Sequence, residues 1–169
     1  MIDKISNNFK EVVAIIRDAR NRVLSNANTE LINLYWQVGK YISDKVNYEE
    51  WGMGVVVSLA EHIRQTEPDI KGFSVRNLWR MKQFYEIYRD YPKLSPLVTQ
   101  LSWTSNLIII TACKTPEERE YYLQLAIKEK YSKRELERQI ATGIFERTKI
   151  AQTKLSPIMK ELLENAEKV

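Results

Sequence analysis

Turn-forming residues are scarce in this chain: five glycines and five prolines among 169 residues. That scarcity argues against many short strands and for long helices. A single cysteine, Cys113, excludes an internal disulfide. It therefore predicts a reducing compartment, the cytoplasm. A single histidine, His62, excludes a histidine cluster or a zinc pair. His62 follows Glu61 on a predicted helix and reads as a surface residue, whereas Cys113 follows an apolar run and reads as a core thiol. No basic–apolar–small leader precedes the first predicted helix, and the run LIIITAC is too short to cross a bilayer, so no membrane partner is expected. The Gly52-Met53-Gly54 triplet lacks the strand and the Gly-Lys-Ser/Thr ending of a phosphate loop. No cofactor is expected.

What is present fits one globular domain, or one domain with a tail. The chain is 44% hydrophobic and 28% charged, with both signs represented. The net charge of +4 is unevenly placed. Residues 72–100 and 132–154 each carry +3, while the remainder sums to slightly negative. Each basic stretch opens on a serine-capped helix, and such clustering is the electrostatic footprint of a nucleic-acid ligand.

Helical periodicity dominates. Ser6 to Lys45 repeats apolar residues every three or four positions, through Phe9, Val12, Val13, Ile16, Val23, Leu24, Leu31, Leu34, Val38 and Ile42. The spacing predicts either one long helix whose seam pairs with a second copy, or a hairpin broken at Ser25–Thr29. A helix from Val55 to Gln65 buries Val56, Leu59, Ala60 and Ile63. Ser74 caps another that ends before Pro92. Residues 92–103 suit a short β wing. Trp103 to Ala112 forms a buried helix, although LIII would equally suit a strand. Thr115-Pro116-Glu117-Glu118 starts a helix to about Lys130, and Ser132-Lys133-Arg134-Glu135 is a capping box opening one to about Arg147. Ser156 to Val169 is a terminal helix or linker. The predicted fold is all-α, mostly helical and helix-turn-helix-like, with residues 1–154 as one domain and 155–169 as its tail.

Two helix faces carry the candidate chemistry. From Val75, Leu78, Met81, Tyr85 and Tyr88 share the core side, and Arg76, Arg80 and Gln83 share the opposite stripe. Arginine and glutamine carry the paired donors and acceptors that match guanine and adenine edges. Asn77 lies near the helix start, and Lys82 adds nonspecific attraction. From Lys133, Leu136, Ile140 and Ile144 face inward, while Arg134 and Arg138 face out; Lys133 and Lys149 flank them. About two residues join this helix to the one before it, a helix-turn-helix spacing without the usual turn glycine. Solvated helix faces also carry arginines, so the stripes alone support only a weak nucleic-acid reading.

The segments GFSVRNLWRMKQFYEIY (72–88), LINLYWQVGKYI (31–42), EEWGMGVVVSLAEHI (49–63), QLSWTSNLIII (100–110) and YSKRELERQI (131–140) together resemble the amino-terminal domain of the bacterial YhcG family, over roughly residues 10–150. That resemblance implies a helix-turn-helix-like DNA-binding module, followed in the family by a PDDEXK-type nuclease domain. A PDDEXK site needs acidic residues and a lysine on neighbouring strands to hold Mg²⁺. The acid-x-Lys triplets here, such as Asp69-Ile70-Lys71, sit on no plausible strand. The expected function is therefore duplex-DNA binding by a non-catalytic domain that homodimerises through its first helix. The alternative is an assembly module that positions nucleases without touching DNA. A third option is protein binding anchored by Trp51, Trp79 and Trp103, of which packing inside the fold claims at least two.

Overall fold

The computed structural model describes the backbone of residues 2–48 and 52–151, with most side chains from Arg17 onward. Every regular element among them is helical: α1 (Ile2–Tyr48), α2 (Met53–Thr66), α3 (Val75–Tyr88), α4 (Ser95–Val98), α5 (Trp103–Ala112), α6 (Pro116–Glu129) and α7 (Lys133–Ala141). A 3-10 turn spans Pro92–Leu94, and residues 144–151 are helical again. The β wing expected over 92–103 is absent. Pro92 and Pro96 each sit in the first turn of a short helix, where proline's missing N–H costs nothing. The expected tail beyond residue 154 lies outside the described residues, as does Trp51. The chain divides into two compact units, Met1–Trp103 and Thr104–Val169.

In the first unit, α1 is continuous through Ser25–Thr29, so the hairpin alternative does not occur. At 47 residues it is ~70 Å long. Asn28 accounts for part of that continuity. Its amide donates to the carbonyls of Thr99 (2.9 Å) and Leu101 (3.0 Å), which anchors the suspected weak spot. Further along, Ile32, Tyr35, Gly39, Ile42 and Ser43 recur at helical spacing and are buried. This stripe packs along α3, which α2 also contacts. Tyr35, Ile42, Val56, Leu78 and Met81 form the buried centre, with Val38, Val46, Leu59, Phe73, Trp79 and Trp103 packed around it.

Gly39 sets the α1–α3 distance. A Cβ at this position would lie 2.1 Å from the Met81 carbonyl oxygen, so only glycine permits the approach. In the same unit, the Trp103 ring lies tilted 4.7 Å from Tyr35 and edge-on 5.3 Å from Phe84, while Trp36 meets Phe84 edge-on at 5.8 Å. Each such pair contributes about 0.5–1.5 kcal/mol beyond the area it buries. Phe84, which the sequence pattern left off the core side, is fully buried, whereas Tyr85 is only half-buried. Trp79 and Trp103 are therefore poor anchors for a partner. Trp103 is packed in this cluster, and the Trp79 indole nitrogen is sealed from solvent with no hydrogen-bond partner among the described residues.

In the second unit, Ile109, Ile110, Cys113, Tyr122, Leu123, Ala126 and Leu136 are buried. Tyr121 and Phe145 lie 5.4 Å apart, and Phe145 N–H donates to the Tyr122 hydroxyl at 3.4 Å. Burial pushes the Cys113 thiol up to about 12, aided by Glu118, in keeping with a core thiol. The α7 helix stops earlier than expected. Gly143 takes a left-handed φ of +63°, which ends it after Ala141 before helical backbone resumes at 144.

Candidate nucleic-acid interface

The start of α3 is built by three polar groups. Gly72, at φ +97°, turns the chain, and Ser74 caps the helix by accepting from Asn77 N–H at 3.3 Å. The Asn77 side chain donates to the Gly72 carbonyl and accepts from the Trp103 indole N–H at 2.8 Å. Asn77 therefore holds the helix start to the core, and both ends of its amide are engaged. Leu78, Met81, Phe84 and Tyr88 bury the inner face.

Opposite them, Arg76 and Gln83 are exposed and Arg80 is half-exposed. Among the described residues, none of these three side chains has an ion pair or hydrogen bond. Lys82 differs. Its ammonium lies 2.7 and 2.8 Å from the two Glu86 oxygens and 5.9 Å from the Trp79 ring centre, with its side chain only 15% exposed. Glu86 also accepts from buried Ser43 at 2.8 Å. Burial pushes the Glu86 carboxyl up, but hydrogen bonds from Lys82 and Ser43, with the charges of Lys82 and Arg89, outweigh it and leave the group below its ordinary value. Lys82 is thus part of an α1–α3 clasp, and the open charge on this face is Arg76 and Arg80.

The second unit presents another arrangement. Ser132 caps α7 by accepting from Glu135 N–H at 3.3 Å. The expected reciprocal capping bond is replaced, because the Glu135 carboxylate instead accepts from Arg138 (2.8 Å) and Gln139 (2.6 Å). These hydrogen bonds, Arg138 first, hold Glu135 below its usual range. Lys133 lies 3.9 Å from Glu137. Arg134 is exposed and, among the described residues, unpaired. Lys149 sits on 144–151 and lies 4.6 Å over the Phe145 ring. The Arg138 side chain remains 69% exposed; such surface pairs contribute about 0–1 kcal/mol and yield readily to a phosphate. Between α6 and α7 the left-handed position belongs to Lys130 (φ 52°). The missing turn glycine is therefore missing only as a residue, since its backbone conformation is present.

Asp69 lies in the connection between α2 and α3, and among the described residues no group of three or more His, Cys, Asp or Glu side chains could hold a metal ion. No described helix is long and apolar enough to cross a membrane.

A family model for the DUF1016 N-terminal domain matches residues 11–147. The chain belongs to that family. It is also 23% identical, over 176 aligned positions, to the Escherichia coli (strain K12) protein named "Putative nuclease YhcG". The alignment covers 85% of this chain and 46% of that protein, so the chain spans about half the length of the curated relative. No solved structure matches significantly. Within this DUF1016 domain, sequence reasoning missed Gly39, Phe84 and the Asn77–Trp103 bond. A glycine inside an otherwise strong helix was the one local signal for a close approach. The Asn77–Trp103 pairing, 26 positions apart, had no local signal.

Proposed function

We propose that this DUF1016 domain binds nucleic acid, duplex DNA in particular, and is not itself catalytic. The observation that carries this reading is the Arg76–Arg80–Gln83 stripe. Among the described residues its side chains are unpaired, on a helix where Asn77, Lys82 and Glu86 are engaged in holding it. Arg134 and Arg138 add a second basic face on the helix that also carries Lys133, and Lys149 contributes a further cation from residues 144–151. Similarity to a protein whose name describes a nuclease supports a polyanionic ligand. Residues 155–169 would then lead toward a catalytic domain.

The test is duplex binding across a salt series. Log affinity should fall linearly with log salt. A triple variant, Arg76→Ala/Arg80→Ala/Arg134→Ala, should lose at least about 10-fold at moderate salt, because three charged contacts to DNA disappear. Unchanged affinity in the triple variant overturns the reading.

A second reading, self-association through α1, has its own observation. Val23 and Leu24 are 67% and 65% exposed, and with Ala27, Leu31, Leu34 and Tyr41 they leave an apolar stripe beside the face packed on α3. Leu24, Ala27, Leu31, Leu34, Val38 and Tyr41 alternate three- and four-residue steps, the repeat of a two-helix seam. Sedimentation at two concentrations should show a dimer that Leu24→Glu/Leu31→Glu dissociates. A monomer at both concentrations removes this reading and leaves DNA binding standing.

A further inference from the structure

Resting on the duplex-binding reading, we propose that α3 and α7 do different work. The α3 helix reads base edges in the major groove of B-form DNA through Arg76, Arg80 and Gln83, while α7 only holds phosphate.

Reading a base requires a donor fork held in a fixed place, whereas a phosphate tolerates a mobile point charge. The α3 helix meets the stricter demand. Its inner face is buried at four positions, its start is bonded to Gly72 and Trp103, and its middle abuts Gly39 without room for a methyl group. Arg80 is half-covered, which limits its freedom. Among the described residues, the three reading side chains have no partner to surrender on binding. The α7 helix has one buried residue, Leu136, and two of its three cations already pair at the surface with Glu135 and Glu137. That is adequate for phosphate and poor for discriminating bases.

Spacing supports the assignment. Arg76 to Gln83 spans ~10 Å along the helix axis, roughly three base-pair steps of ~3.4 Å. Two guanine-matching forks and one adenine-matching amide therefore fall within about four base pairs. B-form DNA is the ligand because its major groove admits a helix, while the A-form groove of duplex RNA is too narrow for side chains to read.

The experiment is selection of bound sequences from a randomised duplex pool by the 169-residue chain, with salt slopes measured for each variant. The expected motif holds two guanines and one adenine within about four base pairs. Arg76→Ala or Arg80→Ala should relax the preference at one guanine by about 10-fold, without flattening the rest of the motif. Arg134→Ala should weaken every sequence alike and lower the salt slope by about 0.9. Binding with a flat selection, or uniform loss in both α3 variants, overturns the division of labour and leaves the duplex-binding reading intact. Absence of duplex binding at low salt overturns both.

Discussion

Two residues sit where backbone geometry and side chain disagree, and they are expected to respond in opposite directions. Gly39 occupies the middle of α1, where alanine would gain about 1 kcal/mol in helix propensity. Against that gain, a Cβ would meet Met81 backbone atoms at 2.1 and 2.6 Å, and backbone cannot swing aside. The contact wins, so Gly39→Ala should lower unfolding free energy by about 2 kcal/mol or more, read by urea denaturation. Lys130 is the reverse case. A side chain at φ 52° is strained, and Lys130→Gly should stabilise by about 0.5–1 kcal/mol. A lower melting temperature for the glycine variant would mean that the Lys130 side chain makes a compensating contact.

At the scale of elements, helix identity followed from local rules: apolar spacing, Ser74, Thr115 and Ser132 as caps, and prolines in first turns. Each cap forms the bond its residue type implies. The misjudged details were those where a local rule had a competitor. Glu135 could close a capping box or pair with Arg138, and it pairs with Arg138 and Gln139. Gly143 lies inside the span whose spacing predicts helix to Arg147, although its left-handed backbone ends α7. The Glu135 choice has a functional consequence under the duplex-binding reading. Glu135→Gln removes a negative charge beside the α7 phosphate site and releases Arg138, so duplex affinity should rise several-fold at low salt. No change would indicate that Arg138 faces away from the bound DNA.

For the whole molecule, the shifted groups define a window of pH stability. Glu86, Glu61 and Glu135 all sit below their ordinary value of 4.5; for Glu61 the leading cause is the hydrogen bond from Arg64. Their unfolded forms bind protons first as pH drops. Their contribution is therefore complete above about 4.5 and is lost as pH falls through the native values. On the alkaline side, burial raises Cys113 from 9.0 to about 12 and lifts Tyr35 and Tyr122 above 10.0. The unfolded thiol ionises first, so stability should decline above pH 9, and Cys113→Ala should flatten the early part of that decline. Denaturation midpoints measured from acid to alkaline pH would show a plateau with two falling limbs; a rising alkaline limb would contradict the burial of these groups.

By itself the sequence determined the helical class, most helix starts and the two basic faces, because these depend on residues three or four positions apart. It also carried the likeness to a domain family through short blocks of residues. Only the tertiary structure decided which polar side chains remain open. Lys82, Asn77 and Arg138 lie on the same two helices as Arg76, Arg80 and Arg134, yet they are engaged by Glu86, Trp103 and Glu135. In part that follows from distance along the chain: the Asn77–Trp103 bond and the Ser43–Glu86 contact join residues 26 and 43 positions apart. Such pairings follow from packing, which no local periodicity encodes.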